Sequence, residues 1–156
     1  MRISETFFKE LLKETDAIKV VSTISNFWSA RSSIDKPQFG LTFPEYNVQL
    51  CLIYEGEVGN GGHLQFFLNR GTTFLNDTLR ALENVQLTEM AENLRKAARP
   101  LLDKTANAHI QDTDIDHNML SLWKILDELV WRTDVDEILL EYMRENSSEI
   151  LRNERF

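Results

Sequence analysis

Residues 55–71 of the chain read Glu-Gly-Glu-Val-Gly-Asn-Gly-Gly-His-Leu-Gln-Phe-Phe-Leu-Asn-Arg-Gly. All six glycines of the protein lie between Gly40 and Gly71, and most of them fall in this stretch. Glycine is favoured where the backbone needs a positive φ or where two segments approach closely. The stretch therefore predicts a specific turn rather than a flexible spacer.

The residues on both sides of this turn have helical spacing. Apolar residues recur on one face from Val48 to Val58, which predicts a helix that begins at about Glu45. We expect the glycine cluster at 59–62 to end this helix, because helix C-termini favour left-handed residues. A short helix from His63 to Asn69 should follow and stop at Gly71.

Helical periodicity continues through the rest of the chain. Two helices are predicted before Gly40, and the 85 residues after Gly71 contain no glycine and only one proline, Pro100. We expect one helix to end near Pro100 and a loop to cover residues 107–118. Because no stretch alternates with period two, we predict an all-α bundle of six to eight helices in one domain over residues 1–156.

Capping residues predict where the last two helices begin. Asp116 is suited to cap a helix that carries Trp123 and Val130, because a carboxylate accepts from the free N–H groups of a first turn. Thr133 or Asp134 should cap the final helix in the same way.

Composition indicates a folded, water-exposed domain. Hydrophobic residues make up 42% of the 156 residues and charged residues 27%, and the single cysteine, Cys51, cannot form an internal disulfide. We assign Cys51 to the core and expect a reducing compartment, the cytoplasm. No apolar run approaches the roughly 20 residues of a membrane span, so neither a signal peptide nor a membrane helix is expected.

The negative charge is concentrated in the last third of the chain. Residues 1–100 hold 11 basic and 12 acidic side chains, whereas residues 101–156 hold 6 and 13. Such a surface repels phosphate, so we expect no direct binding to nucleic acid.

Two patterns in the sequence resemble parts of a metal site or a catalytic site. The run from Asp112 to Asp116 resembles the start of a calcium loop, but His117 and Trp123 stand where glycine and glutamate are needed. Glu55 and Glu57 are both close to His63 in sequence, and either could form an acid–base pair with it, although proximity in sequence is the only support. We predict no metal, no cofactor and no catalytic residues.

Gln65 and Asn69 are four residues apart, so they share a helix face, while Phe66 and Phe67 can point into the core. Asn60 and these two amides can bond backbone groups that the turn leaves unpaired. The turn can also serve as a recognition surface.

Carboxylates recur along one side of the last predicted helix. Asp134, Glu137, Glu141 and Glu145 are spaced by three, four and four, so they form a ridge opposite the core. Together with other acids of the final third they form the predicted acidic face: Asp112, Asp114, Asp116, Asp127, Glu128, Asp134, Glu137, Glu141 and Glu145.

The glycine-rich turn resembles the signature of the bacterial DNA-mimic protein family, over about residues 45–145. The residues that carry the resemblance are Glu57, Asn60, Gly61, Gly62, His63, Gln65, Phe66, Phe67, Asn69 and Gly71. Leu126-Asp127-Glu128-Leu129-Val130-Trp131 looks like a later family segment. Two residues depart from the pattern, since His63 stands where an aromatic is usual and Gln86 where glycine is common. The resemblance implies an all-helical fold and an acidic face that occupies the DNA-binding surface of a transcription regulator.

The leading hypothesis is a protein-binding module whose acidic face docks on a basic, DNA-binding partner. One alternative is a small-ligand or enzymatic pocket around Glu57, Asn60, His63, Gln65 and Asn69. A toxin-immunity inhibitor is the other alternative, and the sequence also leaves a homodimer open.

Overall fold

The computed structural model describes residues 4–31 and 40–154, with side chains through residue 152. Its α-helices are α1 (Glu5–Leu11), α2 (Ala17–Ser29), α3 (Phe43–Arg70), α4 (Leu75–Asn84), α5 (Thr88–Lys104), α6 (His117–Arg132), α7 (Val135–Glu145) and α8 (Ser147–Glu154). A 3-10 helix covers Asp112–Asp114. The described ranges contain eight α-helices and no strand, which confirms the all-α prediction.

The described residues group into two compact units. The terminal unit lies within residues 1–49 and 134–156, and the central unit is Leu50–Thr133. The single domain predicted over residues 1–156 stays a prediction.

The terminal unit is built from short capped helices. Ser4 caps α1 and Asp16 caps α2, each with a side-chain oxygen that accepts from a first-turn N–H. Helix α2 packs against α7, and α8 contacts both α1 and α7. The helices bury a common apolar core: Phe8, Val20, Ile24, Trp28, Val48, Leu139, Met143 and Ile150.

Helix α3 begins with reciprocal capping bonds. The Thr42 N–H donates to the Glu45 carboxylate at 2.7 Å, and the Glu45 N–H donates to the Thr42 hydroxyl at 3.4 Å. In the sequence, Pro37, Gly40 and Pro44 interrupt helical spacing and predict a loop over residues 31–44, with Pro44 at the helix start. Pro44 does lie in the first turn of α3, where proline has no N–H to satisfy, and Pro37 lies outside the described residues.

In the central unit, α5 packs against both α4 and α6. Cys51 is 1% exposed, which confirms its place in the core, and burial raises the pKa of its thiol. The prediction that a helix ends near Pro100 is wrong, because α5 continues to Lys104. Leu101, directly after the proline, is fully buried and accepts from the Thr105 N–H, so packing holds the last turn in place.

Three further boundaries were tested by the structure. The predicted loop over 107–118 contains the 3-10 helix Asp112–Asp114, and α6 already begins at His117. Asp116 caps α6 as predicted, since its Oδ1 accepts from the Met119 N–H at 2.9 Å. The helix after Asp134 was predicted to be the last, which is wrong because α8 follows it; Asp134 itself makes no side-chain capping bond.

Candidate functional site

The glycine cluster interrupts α3 at two residues. Gly61 has φ −145° and ψ 20°, and Gly62 has φ 70° and ψ −176°. The second conformation is open essentially to glycine alone. Helical structure resumes at His63, so the predicted turn between two helices is confirmed, although helix continues past Gly59 before the break.

Asp127 of α6 caps the helix that restarts after this kink. A helix start leaves N–H groups without partners, and Asp127 Oδ1 accepts from the His63 N–H at 2.9 Å. A side chain at position 62 would collide with this carboxylate, because an added Cβ would lie 2.4 Å from Asp127 Oδ2. Gly62 therefore allows the close approach on which the cap depends.

Asp127 does not belong to an exposed acidic face, so this part of the predicted face is wrong. The residue is 7% exposed and its carboxylate points to the kink. The spacing in the sequence indicates that Asp127 is buried. It is four residues after Trp123 and three before Val130, and all three positions lie on the buried side of α6. The charge of Asp127 suggested an exposed position, whereas its place on the apolar side of α6 requires a buried one.

The His63 ring links Asp127 to Tyr54. Its Nδ1 lies 2.5 Å from Asp127 Oδ1 and its Nε2 lies 2.8 Å from the Tyr54 hydroxyl. The carboxylate of Asp127 acts only as an acceptor, so the proton of the neutral imidazole is on Nδ1. Nε2 then has no proton and accepts a hydrogen bond from the Tyr54 O–H. Both ring nitrogens of His63 are therefore bonded, to Asp127 and to Tyr54, and the predicted pairing of His63 with Glu55 or Glu57 is wrong.

Burial fixes the protons of this chain of bonds. Desolvation lowers the pKa of His63 even though the neighbouring Asp127 charge opposes the shift. Desolvation also raises the pKa of Tyr54, which keeps its proton. His63 and Tyr54 are both fully buried, so neither side chain is in contact with solvent. The order Asp127–His63–Tyr54 resembles an acid–base relay, but in this position it holds the kink together.

Aromatic rings surround the imidazole. Tyr54 and Phe66 meet edge to face with ring centres 5.1 Å apart, and Phe67 lies 6.2 Å from His63 in a stacked arrangement. Phe67 also lies 5.2 Å from the Trp123 ring. Phe66 and Phe67 are buried, as predicted, and His63 fills a position in an aromatic cluster.

A second polar cluster forms beside the kink around Glu57. Its carboxylate accepts from Gln65 at 2.7 Å, from Asn69 at 2.9 Å and from the Arg70 guanidinium at 2.9 Å. Asn60 in turn donates to Gln65 at 2.9 Å. Partial burial alone would raise the pKa of Glu57, but the three donors and the Arg70 charge together lower it. The amides thus bond other side chains, and the prediction that they bond loop backbone is wrong.

Gly71 ends α3 by a close contact with the loop after α5. Its φ is +58°, and an added Cβ would lie 2.0 Å from the Ala108 carbonyl oxygen. The same oxygen accepts from the Thr72 N–H at 2.8 Å. Gly71 therefore supplies both the left-handed residue predicted at this helix end and room for the loop.

The predicted ridge on α7 is exposed to solvent. Asp134, Glu137, Glu141 and Glu145 are all exposed, and Glu141 lies 3.5 Å from Arg144. Asp136 lies among them, and partial burial together with the charges of Asp134 and Glu137 raises its pKa. The α7 ridge, these four carboxylates, therefore carries a local negative field in the terminal unit.

The remaining predicted acids lie in the central unit, and some have local structural roles. Asp114 accepts from the Gln111 N–H, and Asp116 caps α6 and lies 3.9 Å from Lys104. Asp112 and Glu128 are exposed. In the described part of the chain, no group of three or more His, Cys, Asp or Glu side chains is arranged to hold a metal.

The two segments that resemble the family signature meet in space. Asp127 bonds His63 after the kink, and the Trp131 indole N–H donates to the Val58 carbonyl before it at 3.0 Å. Helix α6 thus bonds to α3 on both sides of the kink, and these bonds hold the two segments together. Among the described helices, none combines the length and apolar character that crossing a membrane would require.

A profile of the family described as DMP19-like protein matches residues 40–146, which is well over half of the chain. No curated protein and no solved structure matches the chain. The matched range contains the kink, its cap and the α7 ridge. The chain therefore belongs to the DMP19-like family of DNA-mimic proteins.

Proposed function

We propose that this protein is an acidic protein-binding module that occupies the DNA-binding surface of a basic protein such as a transcription regulator. The observation that carries the proposal is the α7 ridge, whose carboxylates are exposed and aligned along one helix. Membership of a DNA-mimic family supports the same function.

The spacing of the carboxylates in the α7 ridge limits how closely the ridge can match the charge density of DNA. With a rise of about 1.5 Å per residue, four carboxylates over positions 134–145 are spread over roughly 16 Å. Duplex DNA carries a charge about every 1.7 Å of its axis, counting both strands. The ridge thus presents fewer charges than the same length of duplex. It engages the few lysines and arginines at the centre of a DNA-binding surface, and further acids must contribute elsewhere.

The raised pKa of Asp136 supports a binding role for this helix. Its carboxyl is disfavoured as an anion by partial burial and by the charges of Asp134 and Glu137. A cationic partner surface would relieve this repulsion. Binding should then be favoured by charge and should weaken with salt, since exposed charges are screened over about 10 Å at 0.1 M.

Capture from the native host's lysate by the immobilised protein tests the proposal. The expected result is recovery of a basic DNA-binding protein that is released by added duplex DNA and by salt. The triple variant Glu137→Gln, Glu141→Gln, Glu145→Gln should lose this capture. A matched control removes three exposed carboxylates elsewhere, by Glu10→Gln, Glu14→Gln and Glu89→Gln, and should keep it.

The acids of the central unit need their own variant. Asp112→Asn, Asp116→Asn and Glu128→Gln remove three charges, and asparagine at position 116 keeps a good N-cap. A further loss of capture in this variant would assign these acids to the same contact. Capture that survives both triple variants, or that duplex DNA does not reduce, would contradict mimicry.

A further inference from the structure

A surface cavity lies beside the kink, within the central unit. Its volume is about 400 Å³, and its lining includes Gly61 of the kink and Asp127 of α6. Cavities that hold small ligands in proteins usually measure about 300–1,000 Å³. The Glu57 cluster is not part of this lining, so the cavity differs from the pocket considered from the sequence.

The carboxylate of Asp127 has one oxygen left for a ligand. Oδ1 accepts both bonds from His63, while Oδ2 accepts no hydrogen bond from any residue in the described ranges. The Asp127 side chain is only 11% exposed, and Asp127 is one of the residues that line the cavity. An anionic oxygen that has no donor among the described residues, on a side chain with little exposure, favours an N–H donor that carries positive charge.

The walls around this oxygen are largely apolar. Leu64 and Leu120 are 37% and 39% exposed, and Trp123 forms part of the inner wall with 1% exposure. Partly exposed leucines beside a buried charge provide contact for a ligand's hydrocarbon part. A ligand that fits must therefore combine a cationic head with an apolar body.

The rim is polar. His117, Ser121 and Lys124 line the cavity and are exposed, so solvent screens the charge of Lys124, whereas the Asp127 side chain is only 11% exposed. We propose that this cavity binds a small molecule that carries a primary ammonium group on an apolar body, with the ammonium donating to Asp127 Oδ2. The proposal is independent of DNA mimicry, since it needs no residue of the α7 ridge.

Calorimetry with three probes of one shape tests the ligand class. Phenethylamine is the probe, and 2-phenylethanol and phenylacetate keep its ring but replace the ammonium with a neutral or an anionic group. Phenethylamine should bind in the millimolar range or tighter, which corresponds to about 4 kcal/mol or more. The alcohol should bind at least tenfold more weakly, and phenylacetate should not bind. No binding of the amine, or equal binding of all three, overturns the proposal.

Variants locate the binding. Asp127→Asn keeps the shape of the side chain but removes its charge, and should weaken phenethylamine at least tenfold. Because Asp127 also caps the kink, Ser121→Phe gives an independent test, since it narrows the cavity from an exposed position. Ile125→Phe on the same helix, 71% exposed and outside the lining, is the matched control and should bind within twofold of the unaltered protein. Binding that Ser121→Phe leaves unchanged overturns the proposed location.

Discussion

Two groups of acidic residues in this protein differ in what surrounds them. Asp127 and Glu57 lie at the kink of α3, where they receive two and three side-chain or backbone hydrogen bonds. The carboxylates of the α7 ridge are exposed, and Glu141 alone among them has an ion pair within the described residues. Acids of the first group stabilise the fold, whereas acids of the second group are the ones that the proposed function assigns to a partner. The family signature contains the first group, so it transfers fold more directly than activity.

The largest effect is expected from Asp127→Ala. The substitution leaves two buried donors, the His63 backbone N–H and its ring Nδ1–H, without their acceptor inside the protein, and each such donor costs about 1–3 kcal/mol. Urea unfolding followed by circular dichroism measures the free energy of unfolding. Glu128→Ala is the matched control on the next, exposed residue and should change it by less than about 0.5 kcal/mol. A cost below about 1 kcal/mol for Asp127→Ala would remove the contrast between the two groups.

A smaller loss of stability is expected from Gly62→Ala. An alanine would have to adopt φ +70°, which costs about 1–3 kcal/mol, and its Cβ would press on Asp127 Oδ2. Gly56→Ala is the control, because Gly56 lies in the helix before the kink and an added Cβ would meet nothing within 4 Å beyond the adjoining backbone of its own helix. That variant should gain about 0.5–1 kcal/mol, since alanine is the better helix former. Equal effects at the two positions would contradict the geometry of the kink.

The pH dependence of the free energy of unfolding should report separately on His63 and on Glu57. The pKa of His63 is lowered in the folded protein, so the unfolded chain binds the proton first as the pH falls below about 6.5. Stability should therefore decrease with falling pH, by at most about 1.4 kcal/mol per unit from this group. Replacing His63 by glutamine should flatten the slope between about pH 6.5 and 5, whatever its effect on stability at pH 7.

Glu57 should affect the stability of the protein in a lower pH range than His63 does. Its pKa is lowered from 4.5, so the stabilisation it provides is present above that value and is lost as the pH falls below it. Unfolding curves from pH 7 to 3 for the unaltered protein and for Glu57→Gln measure this difference. A slope below pH 4.5 that is the same in both proteins would show that the Glu57 cluster contributes nothing to acid stability.

Local patterns predicted most of the helices and the kink itself. Helical spacing identified α2, α4 and the two halves of α3, and the glycine cluster identified the break, because each signal depends on residues close in sequence. The cap on the kink joins residues 64 positions apart, and no local pattern reports such a contact. Pro100 shows the same limit, since tertiary packing of Leu101 overrides a reliable helix-ending signal.

The smallest change in stability is expected from the triple variant Glu137→Gln, Glu141→Gln, Glu145→Gln. These side chains are exposed, and isolated surface substitutions change the free energy of unfolding by less than about 0.5 kcal/mol each. Loss of the Glu141–Arg144 pair costs little, and relief of repulsion near Asp136 acts in the opposite direction. Urea unfolding of the triple variant should therefore overlay that of the unaltered protein, while capture of a basic partner is lost. A large loss of stability instead would place the α7 ridge in the same structural group as Asp127, and the lost capture would then report unfolding rather than binding.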